Sequence, residues 1–382
     1  MAIGAAVIGV GFIGIAHIEA LRRIGVDVRG VLGSTPERAR AKADGAGVDR
    51  VYASLDELLV DPAVQVVHIT SPNVAHYEQC LAVIDAGKHL ICEKPLALTA
   101  TETADLSARA TTAGIVNAVC FNIRFYPINH QASSMVRAGE LGEVLRVSGS
   151  YHQDWLLYPT DWNWRVDTGV GGTSRAMADI GSHWLDLVKF ITGLRVDAVF
   201  ADLQTAIPVR TRPIGEVETF AGPLTEATPT EDVAIGTEDG GGVLLRFDGG
   251  AKGVLSVSQV NAGRKNAPTW EVACTDGGLA WNGEQPEALW IGHRGRANEV
   301  LLRDPGIMST SARARTDYPG GHAEGFPDTF KQLFRAFYGD VERGGPAITP
   351  DYPTFADGHE SVALTEAILA SARDGRWTEV AK

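Results

Sequence analysis

The chain has 382 residues, which is more than one hydrophobic core usually supports, so its length predicts two domains. Hydrophobic residues make up 45% and charged residues 21% of the chain, which excludes wholesale disorder and a fibrous repeat. Lys and Arg number 34 against 47 Asp and Glu, and the formal net charge of −13 disfavours nucleic acid or an anionic membrane surface as a partner.

Targeting signals and cysteine usage indicate the compartment. No run approaches the roughly 18 to 20 consecutive apolar residues that span a bilayer, and the N-terminus lacks the basic region of a secretory signal. We therefore expect a cytoplasmic protein. The four cysteines, Cys80, Cys92, Cys120 and Cys274, lack paired or zinc-type spacing, so we expect reduced thiols.

The first part of the chain alternates short apolar runs with amphipathic stretches. The pattern predicts strands over residues 5–9, 28–32, 64–70 and 89–92, and helices over residues 17–24, 36–43 and 76–86. Strands that alternate with helices require right-handed crossovers and build a parallel sheet that is covered on both faces. The expected fold of this part is therefore a doubly wound α/β sheet.

The pattern changes after about residue 121. Longer runs rich in Val, Leu and Ser suit an antiparallel sheet with one open face, and they cover residues 144–151, 242–247 and 253–260. Residues 206–229 and 294–319 are expected to be loops, and residues 354–373 a helix.

These patterns define two expected domains. Residues 1–122 form the doubly wound α/β domain, and residues 123–382 form an α+β domain with a largely antiparallel, open-faced sheet. The C-terminal helix, about residues 354–374, is able to pack back on the first domain.

Residues 9–14 read GVGFIG, between the first predicted strand and helix. Gly9 allows the tight turn, Gly11 lets the backbone approach a pyrophosphate, and Gly14 lets helix and strand pack closely. Phe12 and Ile13, within the motif, are also expected to contact the cofactor, and the N-terminus of the following helix would hold the anion. This context predicts a dinucleotide site.

The end of the second predicted strand bears on the choice of dinucleotide. An NAD site usually has an acidic residue there, but this chain has Gly33, Ser34 and Thr35. Ser34, Thr35 and the nearby Arg38 are able to donate to a 2′-phosphate, which favours NADP over NAD. The alternative for Arg38 is a solvated helix charge.

Three further motifs carry a family resemblance. They are residues 71–76 (SPNVAH), residues 93–96 (EKPL) and residues 179–186 (DIGSHWLD). Together with GxGxxG, they resemble the Gfo/Idh/MocA family of sugar and inositol oxidoreductases. The resemblance extends over nearly the whole chain, including residues 122–127 (NIRFYP) and 162–165 (WNWR).

The resemblance implies a Rossmann domain followed by an open-faced sheet domain, and it implies site residues. Its cofactor contacts fall on Ser71, Pro72, Asn73, His76, Glu93 and Lys94, with a cis bond before Pro95. Its substrate contacts fall on Lys94, Arg124, Trp162, Arg165, Asp179, His183 and His322. It also implies a homodimer or homotetramer through the open sheet face.

Oxidation of a secondary alcohol requires a base within reach of the hydroxyl, and Lys94 and His183 are the candidates. Asp179 and His183 are four residues apart and would share one face of a helix, where Asp179 orients His183 or holds a neighbouring hydroxyl. Asp186 is interpreted as structural. A metal is not expected, because alcohol oxidation with a lysine present needs none.

Several assignments keep alternatives. Arg124 is equally suited to an interdomain salt bridge. Trp162, with Trp155 and Trp164, either faces the sugar, packs to close the sheet domain or forms an oligomer contact. The remaining histidines are interpreted as structural: His17, His68, His89, His130, His152, His293 and His359.

The function expected is an NAD(P)-dependent oxidoreductase that acts on a ring secondary alcohol of a sugar or inositol. One alternative is an NAD-dependent glycosidase of the same fold, which oxidises the sugar only transiently. Another is a cofactor-binding regulator without turnover.

Overall fold

The computed structural model describes residues 3–215 and 229–381. The chain divides into two compact units. The first consists of Met1–Asn122, Gly169–Gly172 and Pro327–Val362, and the second of Ile123–Thr168, Thr173–Phe326 and Ala363–Lys382. The expected division at residue 122 coincides with the first boundary between the two units. The later segments Gly169–Gly172 and Pro327–Val362 also belong to the first unit.

The elements up to residue 122 alternate strand and helix. They are β1 (Gly4–Ile8), α1 (Phe12–Arg23), β2 (Asp27–Leu32), α2 (Pro36–Gly45), α3 (Leu55–Val60), β3 (Val66–Ile69), α4 (His76–Asp85), β4 (His89–Cys92), α5 (Ala100–Ala113) and β5 (Asn117–Val119). The strands form a parallel sheet in the order β2-β1-β3-β4-β5. The predicted doubly wound sheet is confirmed.

Two helices of this region were not predicted. Helix α5 begins at a capping box, in which Thr99 and Glu102 each satisfy the other's backbone N–H, and it ends at Gly114 with φ 64°. The short helix α3 is capped by Ser54. Helix α1 also begins at Phe12, five residues before the predicted start. Side-chain caps therefore mark the starts of α3 and α5, which apolar periodicity alone does not reveal.

The remaining elements build the second sheet and its helices. They are α6 (Pro127–Arg137), β6 (Val144–His152), α7 (Thr168–Gly171), α8 (Ser182–Thr192), β7 (Val196–Gln204), β8 (Val209–Pro213), β9 (Thr230–Ala234), β10 (Gly240–Phe247), β11 (Lys252–Ser258), β12 (Ala267–Cys274), β13 (Gly278–Asn282), β14 (Ala288–Gly292), β15 (Glu299–Leu302), α9 (Thr310–Arg313), α10 (Phe326–Arg343), α11 (Phe355–Asp374) and β16 (Thr378–Glu379). Single 3₁₀ turns cover Asn73–Ala75, Asn122–Phe125, Trp164–Val166 and Asp248–Gly250, and Met177–Gly181 is π-helical.

The second sheet has nine strands in the order β15-β14-β13-β12-β6-β11-β10-β7-β16. All neighbours are antiparallel except β6 and β11, which are parallel. Alternate side chains on one face, such as Val147, Leu255 and Trp270, are buried in a core shared with Trp184 of α8. The expected largely antiparallel sheet is confirmed.

Two segments expected to be loops contain regular structure. Strands β8 and β9 pair as a two-stranded antiparallel sheet within residues 206–229 and just beyond, while residues 216–228 lie outside the described part of the chain. Strand β15 and helix α9 lie within residues 294–319. Cross-strand hydrogen bonds stabilise these short strands despite their polar composition.

The C-terminal helix is confirmed as α11. Its residues up to Val362 belong to the first unit and those from Ala363 to the second. Among the described residues, no helix combines the length and the apolar character that crossing a membrane requires.

Candidate active site

Four candidate segments follow four neighbouring strands of the parallel sheet. The glycine motif follows β1, Ser34 follows β2, Ser71 follows β3 and Lys94 follows β4. Because the carboxyl ends of parallel strands lie at one edge of a sheet, these segments share that edge in the order β2-β1-β3-β4. This edge is where open α/β sheets bind their ligands.

The backbone geometry at Gly9 and Gly14 agrees with the roles that the motif spacing predicts for them. Gly9 has φ 90°, which L side chains rarely adopt, and a Cβ on Gly14 would lie 2.1 Å from the carbonyl oxygen of Gly9. A Cβ on Gly11 would have nothing within 4 Å, so its backbone borders open space at the N-terminus of α1. The motif therefore fits a dinucleotide pyrophosphate.

No carboxylate occupies residues 33–35 after β2. Thr35 is the N-cap of α2, and its hydroxyl accepts the backbone N–H of Arg38 at 3.4 Å. Ser34 and Arg38 are both exposed, so their side chains are accessible to a ligand.

His76 links the loops after β3 and β4. Its Nδ1 lies 2.8 Å from the carbonyl oxygen of Pro95 and its Nε2 lies 2.8 Å from that of Ser71. The ring is fully buried, which lowers its pKa although both carbonyls oppose the shift. Asn73 donates to the carbonyl oxygen of Gly171 at 2.9 Å. The structure thus gives both side chains partners within the first unit, and their predicted contact with a cofactor stays a prediction.

Glu93 and Lys94 lie directly after β4, and the bond between Lys94 and Pro95 is cis. Glu93 Oε2 accepts the backbone N–H of Lys94 at 3.2 Å. Glu93 Oε1 lies 3.2 Å from His17 Nε2, and Cys120 Sγ lies 3.7 Å from the same nitrogen. Sequence reasoning treated His17 as structural, because nothing local distinguishes it.

Asp179 lies in a π-helical turn rather than in an α-helix. The turn Met177–Gly181 runs directly into α8, which carries His183. Glu238 Oε1 accepts the backbone N–H groups of Arg175 and Met177, both at 2.9 Å, and thereby caps this segment. The structure thus differs from the predicted single α-helix in that Asp179 lies in a π-turn and His183 in the α-helix that follows it.

The carboxylate of Asp179 has partners on two sides. Arg165 Nε lies 3.3 Å from Oδ1, and the Gln259 side-chain amide donates to Oδ2 at 2.8 Å. Gln259 Oε1 in turn accepts from Arg175 at 3.3 Å, and Arg175 forms a buried ion pair with Asp239. Gln259 lies in no motif, so sequence reasoning missed it.

His183 lies on α8 with its ring centroid 6.5 Å from that of Tyr151. Burial, followed by the charge of Asp179, raises the pKa of Tyr151. The hydroxyl of Tyr151 donates to Asn266 at 2.6 Å. Tyr151 therefore stays neutral beside His183.

Arg124 forms a buried, bidentate ion pair with Asp186. Its Nε donates to Oδ2 at 2.6 Å, and its Nη2 donates to Oδ1. Both residues belong to the second unit, so this ion pair is not an interdomain salt bridge. The pairing agrees with the structural interpretation of Asp186.

The other predicted substrate residues lie elsewhere in the second unit. Trp162 packs against a small cluster that contains Leu156 and Val166, which supports its packing alternative. The His322 side chain is exposed, and its backbone oxygen accepts a hydrogen bond from Arg303. The described residues bring Arg165 and Asp179 together, whereas Trp162 and His322 have other partners.

Potential metal ligands cluster at one place in the described part of the chain. His17, Glu93 and Cys120 are all buried, and their ligand atoms lie within 4.8 Å of one another. Asp179, His183 and Asp186 do not form such a cluster among these residues.

Family comparisons match both parts of the chain. Residues 3–121 match the model described as oxidoreductase family, NAD-binding Rossmann fold, and residues 129–280 match the GFO/IDH/MocA C-terminal domain. Levoglucosan dehydrogenase of Pseudarthrobacter phenanthrenivorans is 29% identical over 389 residues, covering 98% of this chain and 97% of that protein.

Solved structures agree along the full length. Levoglucosan dehydrogenase in complex with NADH and L-sorbose superposes with a TM-score of 0.89 at 28% identity, covering 99% of each chain. An inositol dehydrogenase homologue from Azotobacter vinelandii, in complex with NAD+, superposes with a TM-score of 0.87 at 27% identity, covering 99% of this chain and 97% of that one.

Proposed function

This chain belongs to the Gfo/Idh/MocA family of NAD(P)-dependent oxidoreductases, and from that premise we propose that it oxidises a ring secondary alcohol of a sugar or cyclitol. The observation that supports this most is the common sheet edge of the glycine motif and Lys94. The relatives bound to NADH with L-sorbose and to NAD+ are consistent with it.

The first unit holds the nicotinamide cofactor and supplies the proton-transfer group. Gly9, Gly11 and Gly14 form the cradle for the pyrophosphate. The nicotinamide, when bound, accepts the hydride from the alcohol carbon. Lys94 receives the hydroxyl proton in the forward direction and returns it in the reverse direction.

The second unit supplies groups that hold the substrate. Asp179 is fixed between Arg165 and Gln259, so its carboxylate oxygens are oriented before a sugar arrives. We assign Asp179 and His183 to the sugar hydroxyls, with Arg165 as the cation that pairs with Asp179. This division leaves Lys94 as the proton-transfer group and His183 as a hydrogen-bonding partner of the substrate.

The finer cofactor assignment is NADP. Ser34, Thr35 and Arg38 provide donors after β2, and no carboxylate there repels a 2′-phosphate. The relatives in complex carry NADH and NAD+, so the choice between the two dinucleotides depends on these three side chains.

A second copy of the chain is the proposed partner of the open sheet face. Outward side chains form one row across the sheet. It includes the cross-strand pairs Leu244–Val254 on β10 and β11 and Trp290–Val300 on β14 and β15. Leu244 is 47% and Trp290 37% exposed. Light scattering should show a dimer or tetramer that dissociates in Leu244→Lys but not in Val60→Lys, a change at an exposed site in the first unit.

The test of activity is the absorbance of reduced nicotinamide during incubation with NADP or NAD and a panel of inositols, aldohexoses, anhydrosugars and glycosides. We expect the signal to grow with one ring alcohol. Cleavage of a glycoside without any accumulation of reduced cofactor would contradict net dehydrogenation.

A further inference from the structure

A chain of buried hydrogen-bonding side chains ends at the backbone of Lys94. Glu93 Oε1 lies 3.2 Å from His17 Nε2, and His17 Nδ1 lies 3.0 Å from His68 Nδ1. His68 Nε2 lies 3.0 Å from the hydroxyl of Tyr338, which belongs to α10. At the other end, Glu93 Oε2 accepts the N–H of Lys94. This series of hydrogen-bonded side chains therefore connects α10 to the proposed proton-transfer residue.

Because Glu93 is buried, its carboxylate depends on hydrogen-bond donors from the protein. Glu93 is 9% exposed, and His17 is fully buried. A carboxylate removed from water is costly unless hydrogen bonds replace the lost solvation. Burial alone raises the pKa of Glu93, but the hydrogen bond and electrostatic attraction of His17 outweigh it and lower the pKa to about 2. Glu93 therefore remains a carboxylate at neutral pH.

Aromatic packing fixes the orientation of both imidazoles. The Phe334 ring lies edge-on to both, with centroids 4.7 Å from His17 and 4.7 Å from His68. Tyr338 stacks on His68 with centroids 6.0 Å apart. Close packing on these rings leaves little room to rotate, so the hydrogen bond at Tyr338 helps to set the direction of His17.

We propose that His17 is a positioning residue for Lys94, which acts by holding the Glu93 carboxylate where Oε2 receives the Lys94 backbone. His68 and Tyr338 hold His17 in turn. This inference rests on the proposed role of Lys94 in proton transfer. Loss of His17 would displace Lys94 without removing a group that touches substrate or cofactor, and small displacements at a reacting centre are costly.

Removal of His17 leaves Glu93 with few cations. The titratable groups that face Glu93 are His17, Lys94, His76, Cys92 and Cys120. Burial, followed by the charge of Glu93, raises the pKa of the Cys120 thiol, which therefore stays neutral. In a His17→Leu variant, burial then raises the pKa of Glu93 and protonates it in mild acid.

Infrared difference spectroscopy between about pH 7 and about pH 5 tests the contact between His17 and Glu93 directly, because it distinguishes protonated from ionised carboxyl groups. We expect His17→Leu to gain a protonated-carboxyl band that disappears in the His17→Leu, Glu93→Gln double variant. The parent should lack this band. A His17→Leu spectrum identical to the parent spectrum would overturn the inference.

Kinetics supply the second readout. In His17→Leu we expect kcat to fall about 10- to 100-fold, with the KM for sugar and the cofactor affinity changed by less than about twofold. The acid limb of the kcat profile should move to higher pH. His17→Gln, whose amide is able to donate to Glu93, should recover part of the loss.

If His17→Leu fails to fold, Tyr338→Phe is the alternative test. This variant removes only the hydroxyl oxygen of Tyr338 and keeps its ring. Its matched control is Tyr352→Phe, a buried tyrosine of the same unit whose hydroxyl donates to Asp340 at 2.6 Å. We expect the acid limb to move in Tyr338→Phe alone. Equal profiles in the two variants would overturn the inference.

Two further outcomes separate the proposals. Normal turnover in Lys94→Ala would remove the proposed role of Lys94 in proton transfer, while the infrared band still tests the hydrogen bond between His17 and Glu93. Stoichiometric zinc in the purified protein, lost in Cys120→Ser, would overturn the inference, because His17, Glu93 and Cys120 would then be ligands.

Discussion

Gln259 and Asp179 are joined by a hydrogen bond of 2.8 Å, which the Gln259 side-chain amide donates to Oδ2 of the carboxylate. Gln259 is fully buried, and its own oxygen accepts from Arg175 at 3.3 Å. Asp179 is thus fixed by a neutral donor from inside the second unit and by Arg165 on its other oxygen.

Removal of this donor should weaken substrate binding. In Gln259→Leu we expect kcat/KM for the sugar to fall about 10-fold with unchanged cofactor affinity, because Asp179 loses its orientation. Steady-state kinetics and cofactor titration measure both quantities. The matched control is Gln131→Leu, a buried glutamine of the same unit that accepts the backbone N–H of Ser309. Equal kinetics in the two variants would show that Gln259 has no positioning role.

Two glycine substitutions should separate folding from cofactor binding. A methyl group at Gly14 would collide with the carbonyl oxygen of Gly9, whereas one at Gly11 meets no atom within 4 Å. We expect Gly14→Ala to lower the free energy of unfolding by at least about 2 kcal/mol. Gly11→Ala should fold normally and bind the cofactor at least about 10-fold more weakly, because its methyl occupies the pyrophosphate approach. Denaturant unfolding and cofactor titration check the pair, and equal cofactor affinities of parent and Gly11→Ala would contradict this placement.

Lys94→Ala tests the proton-transfer role. We expect turnover to fall at least about 100-fold with cofactor affinity little changed, as for the loss of a general acid or base. Single-turnover formation of reduced nicotinamide is the measurement. Lys252→Ala, an exposed lysine on β11, is the control. Near-normal turnover in Lys94→Ala would exclude this lysine from the mechanism.

Ser34→Asp tests the dinucleotide preference. A carboxylate at this position would repel a 2′-phosphate and accept a hydrogen bond from the ribose hydroxyl, so the ratio of NADP to NAD affinity should fall at least about 10-fold. The neutral Ser34→Asn variant distinguishes charge from size. An unchanged ratio in Ser34→Asp would place the 2′-pocket elsewhere.

The acidity of Glu93 predicts a pH-dependent contribution to stability. Burial raises the pKa of Glu93, but His17 and Lys94 lower it by more, so the pKa falls from 4.5 to about 2. Because the carboxyl is more acidic in the folded chain, its contribution is fully present above the unfolded value and is lost as the pH falls towards 2. The difference in unfolding free energy between the parent and Glu93→Gln should therefore shrink between about pH 5 and about pH 3. A constant difference in denaturant titrations would contradict the depressed pKa.

Local sequence patterns are enough to predict the parallel sheet, the glycine turn after β1 and the position of Lys94 after β4. Each depends on local information, because apolar runs, turn glycines and a motif after a strand lie within a few residues of one another. Parallel strands then bring their carboxyl ends to one edge without any further detail. The glycine roles at Gly9 and Gly14 follow for the same reason.

The buried polar side chains that support these groups are brought together by packing between distant elements. His68 and Tyr338 are 270 residues apart, and Gln259 is 80 residues from Asp179, so no local pattern connects them. The π-turn at Asp179 likewise depends on Glu238, which caps it from a distant loop. A polar residue is buried only where the folded chain supplies its hydrogen-bond partner, and that partner is set by packing between elements rather than by the sequence around the residue.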